Sequence, residues 1–157
     1  RIWDFLRQES QSFHRAVYVF HGDVANYFGG VDHRILLKLI HRRVKDPQYI
    51  KLCRTIINCF SVEAGSGSAG DVGGGRGLPA VRLRQAGIPL GNLTSQVFAN
   101  IYLHELDYFM KQVCGIRCYA RYNDDFYVVS ANRNDLIEIS RKAKDFLYTR
   151  LNLTLPD

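Results

Sequence analysis

The sequence predicts an α+β fold in which a small, antiparallel-rich sheet is covered on one face by helices. Segments rich in β-branched, aromatic or alternating apolar residues occur at residues 16–23, 117–130 and 151–155. Between them, apolar residues recur at intervals of three and four, which is the spacing of amphipathic helices. The order strand, helices, hairpin, helix, strand is typical of an antiparallel sheet with helices on one side.

The first half of the chain predicts one strand and two helices. Residues 16–23 (AVYVFHGD) form the strand, which ends in the carboxylate of Asp23. Asp32 is placed to cap a helix whose apolar residues follow at helical spacing. Asp46 followed by Pro47 marks the start of a second helix, with a capping carboxylate and a proline in the first turn.

A loop and a long helix are predicted in the middle of the chain. Residues 62–78 are rich in glycine and poor in apolar side chains, which is typical of a flexible surface loop. Residues 86–96 (AGIPLGNLTSQ) then lead into a long amphipathic helix. Its predicted apolar stripe consists of Phe98, Tyr102, Leu106, Phe109 and Val113.

The last third of the chain predicts a hairpin, a helix and a final strand. Residues 117–122 and 126–130 form two short strands that are joined through residues 123–125, Asn-Asp-Asp. Asn134 or Asp135 is placed to cap an amphipathic helix that follows. Leucines then alternate with polar residues over 151–155, a period of two that predicts a strand.

Composition limits the classes of protein to which the chain can belong. Its 46% hydrophobic content fits a folded domain, and no run of eighteen apolar residues predicts a membrane span. An excess of 21 Lys and Arg over 15 Asp and Glu gives a formal net charge of +6, which favours a polyanionic partner. Because the 157 residues begin at Arg1 without methionine, we expect them to be part of a longer protein.

Three carboxylates are the candidate reactive groups: Asp23 and the adjacent pair Asp124 and Asp125. Neighbouring carboxylates in an apolar setting repel each other, and a hard cation such as Mg²⁺ relieves that repulsion. If the first strand lies beside the hairpin, all three approach one point, where two metal ions about 4 Å apart could promote phosphoryl transfer. Taken singly, Asp23 is typical of a residue in the turn at a strand end, and the Asp pair also fits an ordinary polar hairpin turn.

Three blocks of sequence carry a family resemblance. Residues 22–33 read GDVANYFGGVDH, residues 87–107 read GIPLGNLTSQVFANIYLHELD, and residues 119–126 read YARYNDDF. In this order and spacing they resemble the palm of bacterial retroelement reverse transcriptases, those of group II introns, retrons and diversity-generating elements. The resemblance implies an RNA-directed DNA polymerase whose palm and partial fingers occupy residues 1–157, with the thumb and remaining fingers outside this chain.

The same resemblance implies roles for individual residues. Asp23, Asp124 and Asp125 would be catalytic and, with the carbonyl of Val24, would hold two Mg²⁺ ions, for which Mn²⁺ could substitute. The nucleotide-binding positions would be Phe28, Gly91 and Gln96. Phe28 would act as a gate that clashes with a ribose 2′-hydroxyl and so favours deoxynucleotides. The template or primer would be contacted by Asn92, Ser95 and Arg121.

The implied partners are an RNA template, a DNA or RNA primer and dNTPs, with no membrane, in the cytoplasm of a bacterial host. Residues 90–96 (LGNLTSQ) depart from the commoner pattern Q-G-x-x-x-S-P and resemble diversity-generating and related lineages, which implies low fidelity. Asn123 stands where Ala, Met or Val is commoner before the Asp pair. Two alternatives stay open: a different palm-type nucleotidyl transferase, and a catalytically silent RNA-binding scaffold of the same fold.

Overall fold

The computed structural model of the chain describes residues 2–59, 62–63, 85–89 and 91–156. A three-stranded antiparallel sheet in the order β1-β5-β4 and a separate two-stranded pair, β2-β3, confirm the α+β prediction. The strands are β1 (Tyr18–Asp23), β2 (Val62–Glu63), β3 (Gln85–Ala86), β4 (Tyr119–Tyr122) and β5 (Asp125–Ser130). Most of the predicted glycine-rich loop lies outside the described residues.

Helices make up most of the remaining described chain. They are α1 (Ile2–Glu9), α2 (Tyr27–Gly30), α3 (His33–Arg43), α4 (Pro47–Asn58), α5 (Leu93–Tyr108) and α6 (Arg133–Leu151). A π-helical turn, Phe109–Val113, extends α5. No helix in the described part of the chain is both long and apolar enough to cross a membrane.

The caps predicted for α3 and α4 are confirmed, whereas α6 is capped by Asn132 and not by Asn134 or Asp135. Asp32 Oδ1 accepts from the backbone N–H of Arg34 at 2.9 Å and of Ile35 at 3.3 Å, and Asp46 caps α4 in the same way. Burial of Asp32 disfavours its charge, yet hydrogen bonds from Arg34 and Ile35 and the Arg34 guanidinium hold the pKa of this carboxyl below its usual value. Asn152 also donates to Asp32, which links the start of α3 to the end of α6.

One face of the sheet is buried, and the other is covered at Val129 but open at the end that carries Asp23. Phe20 and Phe126 lie on the buried face, with their rings edge to face and their centroids 5.7 Å apart, and α6 packs against β1 and β5. His21, Asp23 and Asp125 lie on the opposite face, since successive side chains of a strand alternate. The candidate carboxylates therefore belong to the open face.

Two details of the helical prediction are wrong. Helix α5 begins at Leu93, before the predicted start after Gln96, because Asn92 caps it. At its other end, Val113 is 65% exposed and Met110 is fully buried in its place. The π-helical turn has a wider hydrogen-bond spacing than an α-helix, so the apolar stripe changes phase after Tyr108.

The predicted strand over residues 151–155 is also wrong. Helix α6 continues to Leu151, and Asn152 ends it with a left-handed φ of 53°. The following segment makes one isolated bridge, in which Thr154 pairs with Ala25. The alternating leucines do point inward, with Leu153 and Leu155 both buried, so the period of two marks an extended segment rather than a strand.

Candidate active site

Strand pairing brings the three candidate carboxylates to one end of the sheet. β1 lies beside β5, and Asp23 is the direct antiparallel partner of Asp125. Opposed residues of an antiparallel pair project to the same face, so both carboxylates belong to the open face. Asp124 immediately precedes β5 in the turn from β4. The prediction that the first strand lies beside the hairpin is thus confirmed.

The Asp pair is divided between a turn and a strand. Asn123 and Asp124 form the connection between β4 and β5, whereas Asp125 is the first residue of β5. Asn123 has a φ of 55°, in the left-handed region that asparagine enters more readily than most residues. Its presence before the Asp pair therefore suits the turn, although the hairpin connection is shorter than the three residues predicted.

A histidine that sequence reasoning missed contacts this group. His21 Nε2 lies 2.7 Å from Asp125 Oδ1, and its ring stacks on Tyr127 with centroids 4.6 Å apart. The available signal was its position two residues before Asp23, which places both side chains on one face of β1. The Asp125 carboxylate thus already has a partner within the protein.

The carboxylate oxygens at this end of the sheet are the type of ligand that a hard divalent cation binds. Asp23 is exposed and Asp124 and Asp125 are half-buried, so their oxygens are accessible to a ligand. Carboxylate oxygens are the protein ligands that Mg²⁺ prefers. Within the described ranges, no three His, Cys, Asp or Glu side chains are gathered into a group that could hold a metal ion. The site therefore offers suitable oxygens without a preassembled cage.

The segment after β1 turns away from the open face and packs into the core. The side chain of Val24 is buried, so its predicted metal contact concerns the carbonyl alone. Tyr27 donates its hydroxyl hydrogen to the carbonyl of Ala99, which ties α2 to α5. Phe28, the predicted gate, is half-buried, and its ring meets that of Tyr27 edge to face with centroids 5.5 Å apart.

Backbone hydrogen bonds join the second sequence block to the first. The N–H of Ile88 donates to the carbonyl of Phe28 at 2.8 Å, and that of Gly87 to the carbonyl of Val31 at 2.9 Å. His33, which is buried, donates from Nε2 to the carbonyl of Gly87 at 2.6 Å. The segment that leads to α5 therefore runs alongside α2.

The remaining predicted contacts of this block cluster at the start of α5. Gly91 is exposed with a φ of 82°, a backbone conformation that favours glycine. Asn92 Oδ1 accepts from the N–H of Thr94 at 3.1 Å and so caps the helix. Gln96 is exposed, whereas Ser95 is buried and its hydroxyl has no hydrogen-bond partner among the described residues. Gly91 and Gln96 thus face solvent, and the side chain of Ser95 does not.

Arg121, which the resemblance places at the template or primer, has a different environment in the structure. Its side chain is only 10% exposed. Nε and Nη2 donate to the two oxygens of Asp107 at 2.8 and 2.7 Å. Nη1 donates to the carbonyl of Asn123 at 2.6 Å and to Asn100 Oδ1 at 3.2 Å. The guanidinium is thus bound inside the protein in this structure, and its contact with template or primer stays a prediction.

The ion pair of Asp107 and Arg121 also sets their charge states. Burial opposes the charge of Asp107, but hydrogen bonds from Arg121 and Tyr119 and the charge of Arg121 hold its pKa below the usual value. Burial and the neighbouring Asp107 raise the pKa of Tyr119, so its hydroxyl stays a donor. Sequence reasoning assigned no role to Asp107, because its partners lie on a different element.

Comparison with known proteins finds the same family that the three sequence blocks resemble. A family model described as reverse transcriptase (RNA-dependent DNA polymerase) matches residues 2–156. The chain is 28% identical over 98 residues to Protein YkfC of Escherichia coli (strain K12), covering 62% of this chain and 22% of that protein. It is 28% identical over 108 residues to the group II intron-encoded protein LtrA of Lactococcus lactis subsp. cremoris, covering 69% and 16%. The chain thus spans less than a quarter of these relatives.

Solved structures resemble the fold at low sequence identity. Apo telomerase from Candida tropicalis superposes with a TM-score of 0.62 and 15% identity, covering 98% of this chain and 32% of the telomerase chain. Telomerase from Candida albicans gives a TM-score of 0.56 and 11% identity, covering 98% and 29%. Identities this low support the fold alone, which is that of a polymerase palm. With the family match across residues 2–156, the chain belongs to the reverse transcriptase (RNA-dependent DNA polymerase) family.

Proposed function

We propose that this chain is the catalytic palm, with part of the fingers, of an RNA-directed DNA polymerase. One observation carries the proposal: Asp23 lies directly opposite Asp125 on the open face of the sheet, with Asp124 in the adjoining turn. This arrangement occurs within a chain of the reverse transcriptase family. The reaction is attack of a primer 3′-hydroxyl on the α-phosphate of a dNTP, with release of pyrophosphate.

In this proposal the chain's own residues present and orient oxygen ligands. Asp23 and Asp124 are the main ligands, Asp125 assists, and the carbonyl of Val24 completes the set. When bound, two Mg²⁺ ions, or Mn²⁺ in their place, supply activation of the hydroxyl and neutralisation of charge on the phosphate. The open face admits the nucleotide from solvent, because Asp23 is exposed and the other two carboxylates are half-buried.

The start of α5 and the neighbouring α2 are the proposed nucleotide-binding elements. The N-terminus of the 16-residue α5 favours phosphate through its helix dipole, although Asn92 already accepts from the N–H of Thr94. Gly91 has no side chain to obstruct this approach, and Gln96 is exposed nearby in the first turns of α5. Phe28 is held beside this segment by the bond from Ile88, which supports its proposed role as a sugar gate.

The proposed partners are an RNA template, a DNA or RNA primer and dNTPs, in the cytoplasm of a bacterial host. Asn92 and Ser95 are proposed to act at the template or primer through the backbone of the α5 start, since the Asn92 side chain caps that helix and the Ser95 side chain is buried. The net charge of +6 favours the phosphate backbone of nucleic acid. A thumb and further fingers are proposed to lie elsewhere in the protein.

Primer extension tests this function directly. The full-length protein that contains these 157 residues is given an RNA template, an annealed primer, dNTPs and Mg²⁺, and extension is followed on a gel. Asp124→Asn is expected to lower the rate at least about 100-fold, since it removes a charge that acts on the reacting phosphate. Asp145→Asn, an exposed carboxylate of α6, is the matched control and is expected to retain the wild-type rate.

Binding of the same duplex separates the possible failures. Retained duplex binding with lost extension in Asp124→Asn assigns the carboxylate to chemistry. Extension that survives Asp124→Asn would contradict the site. A folded wild-type protein that binds RNA and never extends a primer would support the silent scaffold.

A further inference from the structure

We propose that Arg121 is a positioning residue that holds the hairpin turn carrying Asp124 against helix α5. The inference rests on the proposed polymerase function and names a side chain outside its ligand set. Its basis is the chain of contacts from Asp107 on α5, through the Arg121 guanidinium, to the backbone of Asn123.

The guanidinium is bound at both ends of its fork. Asp107 accepts two parallel hydrogen bonds, from Nε at 2.8 Å and from Nη2 at 2.7 Å, which is the bidentate geometry of a strong arginine–carboxylate pair. Nη1 points the other way and donates to the Asn123 carbonyl at 2.6 Å and to Asn100 at 3.2 Å. Four of the five N–H donors of the side chain are therefore committed.

The helix end of this contact is rigid. Asp107 follows the fully buried Leu106, and Tyr102, one turn earlier, donates its hydroxyl to the carbonyl of Leu151 at 2.6 Å. Tyr119 adds a third hydrogen bond to Asp107, from its hydroxyl to Oδ1 at 2.7 Å. Asp107 therefore serves as a fixed point on a helix that is anchored in the core.

The turn end of the contact acts on the candidate catalytic residue. The carbonyl of Asn123 belongs to the peptide unit that leads into Asp124. The six atoms of a peptide unit are coplanar, and this unit includes the carbonyl oxygen of Asn123 and the Cα atom of Asp124. Holding the oxygen therefore also fixes the position of the Asp124 Cα atom. The turn would otherwise rely on a left-handed residue, Asn123, whose φ is 55°. Arg121 thus orients the carboxylate of Asp124 through its backbone.

Lysine cannot reproduce this arrangement. An ammonium is a point charge without a planar fork, so it cannot bond both oxygens of Asp107 and the Asn123 carbonyl from one position. Arg121→Lys keeps the charge and removes the geometry. Arg42 provides a matched control, because its Nη1 contacts both carboxylate oxygens of Glu105 at 3.1 and 3.0 Å between α3 and α5, away from the hairpin.

The experiment compares Arg121→Lys with Arg42→Lys in the full-length protein that contains these 157 residues. Four quantities are measured: kcat of primer extension, its Mg²⁺ dependence, the KM for dNTP, and amide hydrogen exchange of residues 122–126. For Arg121→Lys we expect a kcat about 10- to 100-fold lower, because a misplacement of about 1 Å has this effect on a reacting geometry. We also expect a higher half-saturating Mg²⁺ concentration, unchanged KM and faster exchange in the turn. Arg42→Lys is expected to match wild type in all four.

The outcomes separate this inference from the polymerase proposal. An Arg121→Lys protein with wild-type kcat, Mg²⁺ dependence and turn exchange would overturn the positioning role. A fall in rate that tracks only a lower melting temperature, with unchanged Mg²⁺ dependence, would overturn it as well. If the wild-type protein does not extend a primer, the polymerase proposal fails. Hydrogen exchange still tests the role of Arg121 in that case, and unaltered exchange in Arg121→Lys would show that Arg121 does not hold the turn. If Arg121→Lys does not fold, Asp107→Asn is measured in the same way. It is expected to speed amide hydrogen exchange in the turn, and unchanged exchange would overturn the positioning role.

Discussion

Replacement of Gly22 by alanine is expected to destabilise the fold by about 3 kcal/mol, because the new methyl group meets a buried ring. Gly22 lies in β1 directly opposite Phe126 of β5. A Cβ atom at this position would be 2.3 Å from Phe126 Cζ and 2.6 Å from Cε1. Carbon atoms pack at about 3.5–4.0 Å, so a shift of more than about 1 Å is required.

The ring cannot yield cheaply, since Phe126 is fully buried and packs against Phe20. The estimate therefore lies at the upper end of the range of about 1–3 kcal/mol for overpacked cores. For a domain of this size that corresponds to a fall in melting temperature of roughly 6–12 °C. Because Gly22 precedes Asp23, we also expect polymerase activity to fall.

A double-mutant cycle with Phe126→Leu tests the stated cause. The free energy of unfolding is measured by urea denaturation for the two single variants and the double variant. The loss from Gly22→Ala is expected to be at least about 1 kcal/mol smaller when leucine replaces the ring, as residues in contact are not additive. Equal losses in both backgrounds, or a fully stable Gly22→Ala protein, would refute the steric reasoning.

Two further predictions concern charge and substrate choice. The pKa of Asp107 in the folded protein lies below the value of about 3.9 in the unfolded chain. The charged carboxylate therefore stabilises the fold above that pH, and this stabilisation is lost as the pH falls through the folded pKa. The difference in unfolding free energy between wild type and Asp107→Asn should therefore shrink below about pH 4, and a difference that is constant down to pH 2 would contradict the ion-pair assignment. Phe28→Ala should increase incorporation of ribonucleotides relative to dNTPs in primer extension if the ring is the gate, and an unchanged ratio in an active variant would remove Phe28 from that role.

Features that depend on neighbouring residues could be predicted from the sequence. Asp32 and Asp46 cap helices because a capping carboxylate reaches N–H groups only two or three residues further along. Strand β1 and the hairpin followed from local alternation and turn residues. The stripe of α5 was predicted correctly up to Leu106 and failed at Val113, because a π-helical turn has no distinctive spacing in a single sequence.

Pairing between distant elements could not be predicted in the same way. The leucines of residues 151–155 alternate as in a strand, but the segment has no neighbour beyond the single bridge of Thr154 with Ala25. Whether alternation becomes a strand depends on a partner with free backbone groups, and nothing in the local pattern supplies that information. Helix α5 begins at Leu93, a few residues before the predicted start, because Asn92 caps it there.

The sequence by itself determined the order of β1, α3, α4, α5, the hairpin and α6, the positions of the three carboxylates and the blocks of the reverse transcriptase family, because each of these is encoded in adjacent residues. The tertiary structure decided which side chains meet. His21 contacts Asp125 across 104 residues of chain, and Arg121 reaches Asp107 across 14. Arg121 has the appearance of a surface cation in the sequence. It becomes an internal contact because β4 folds against α5, where a desolvated guanidinium is stable only with a carboxylate and carbonyls to receive its hydrogen bonds.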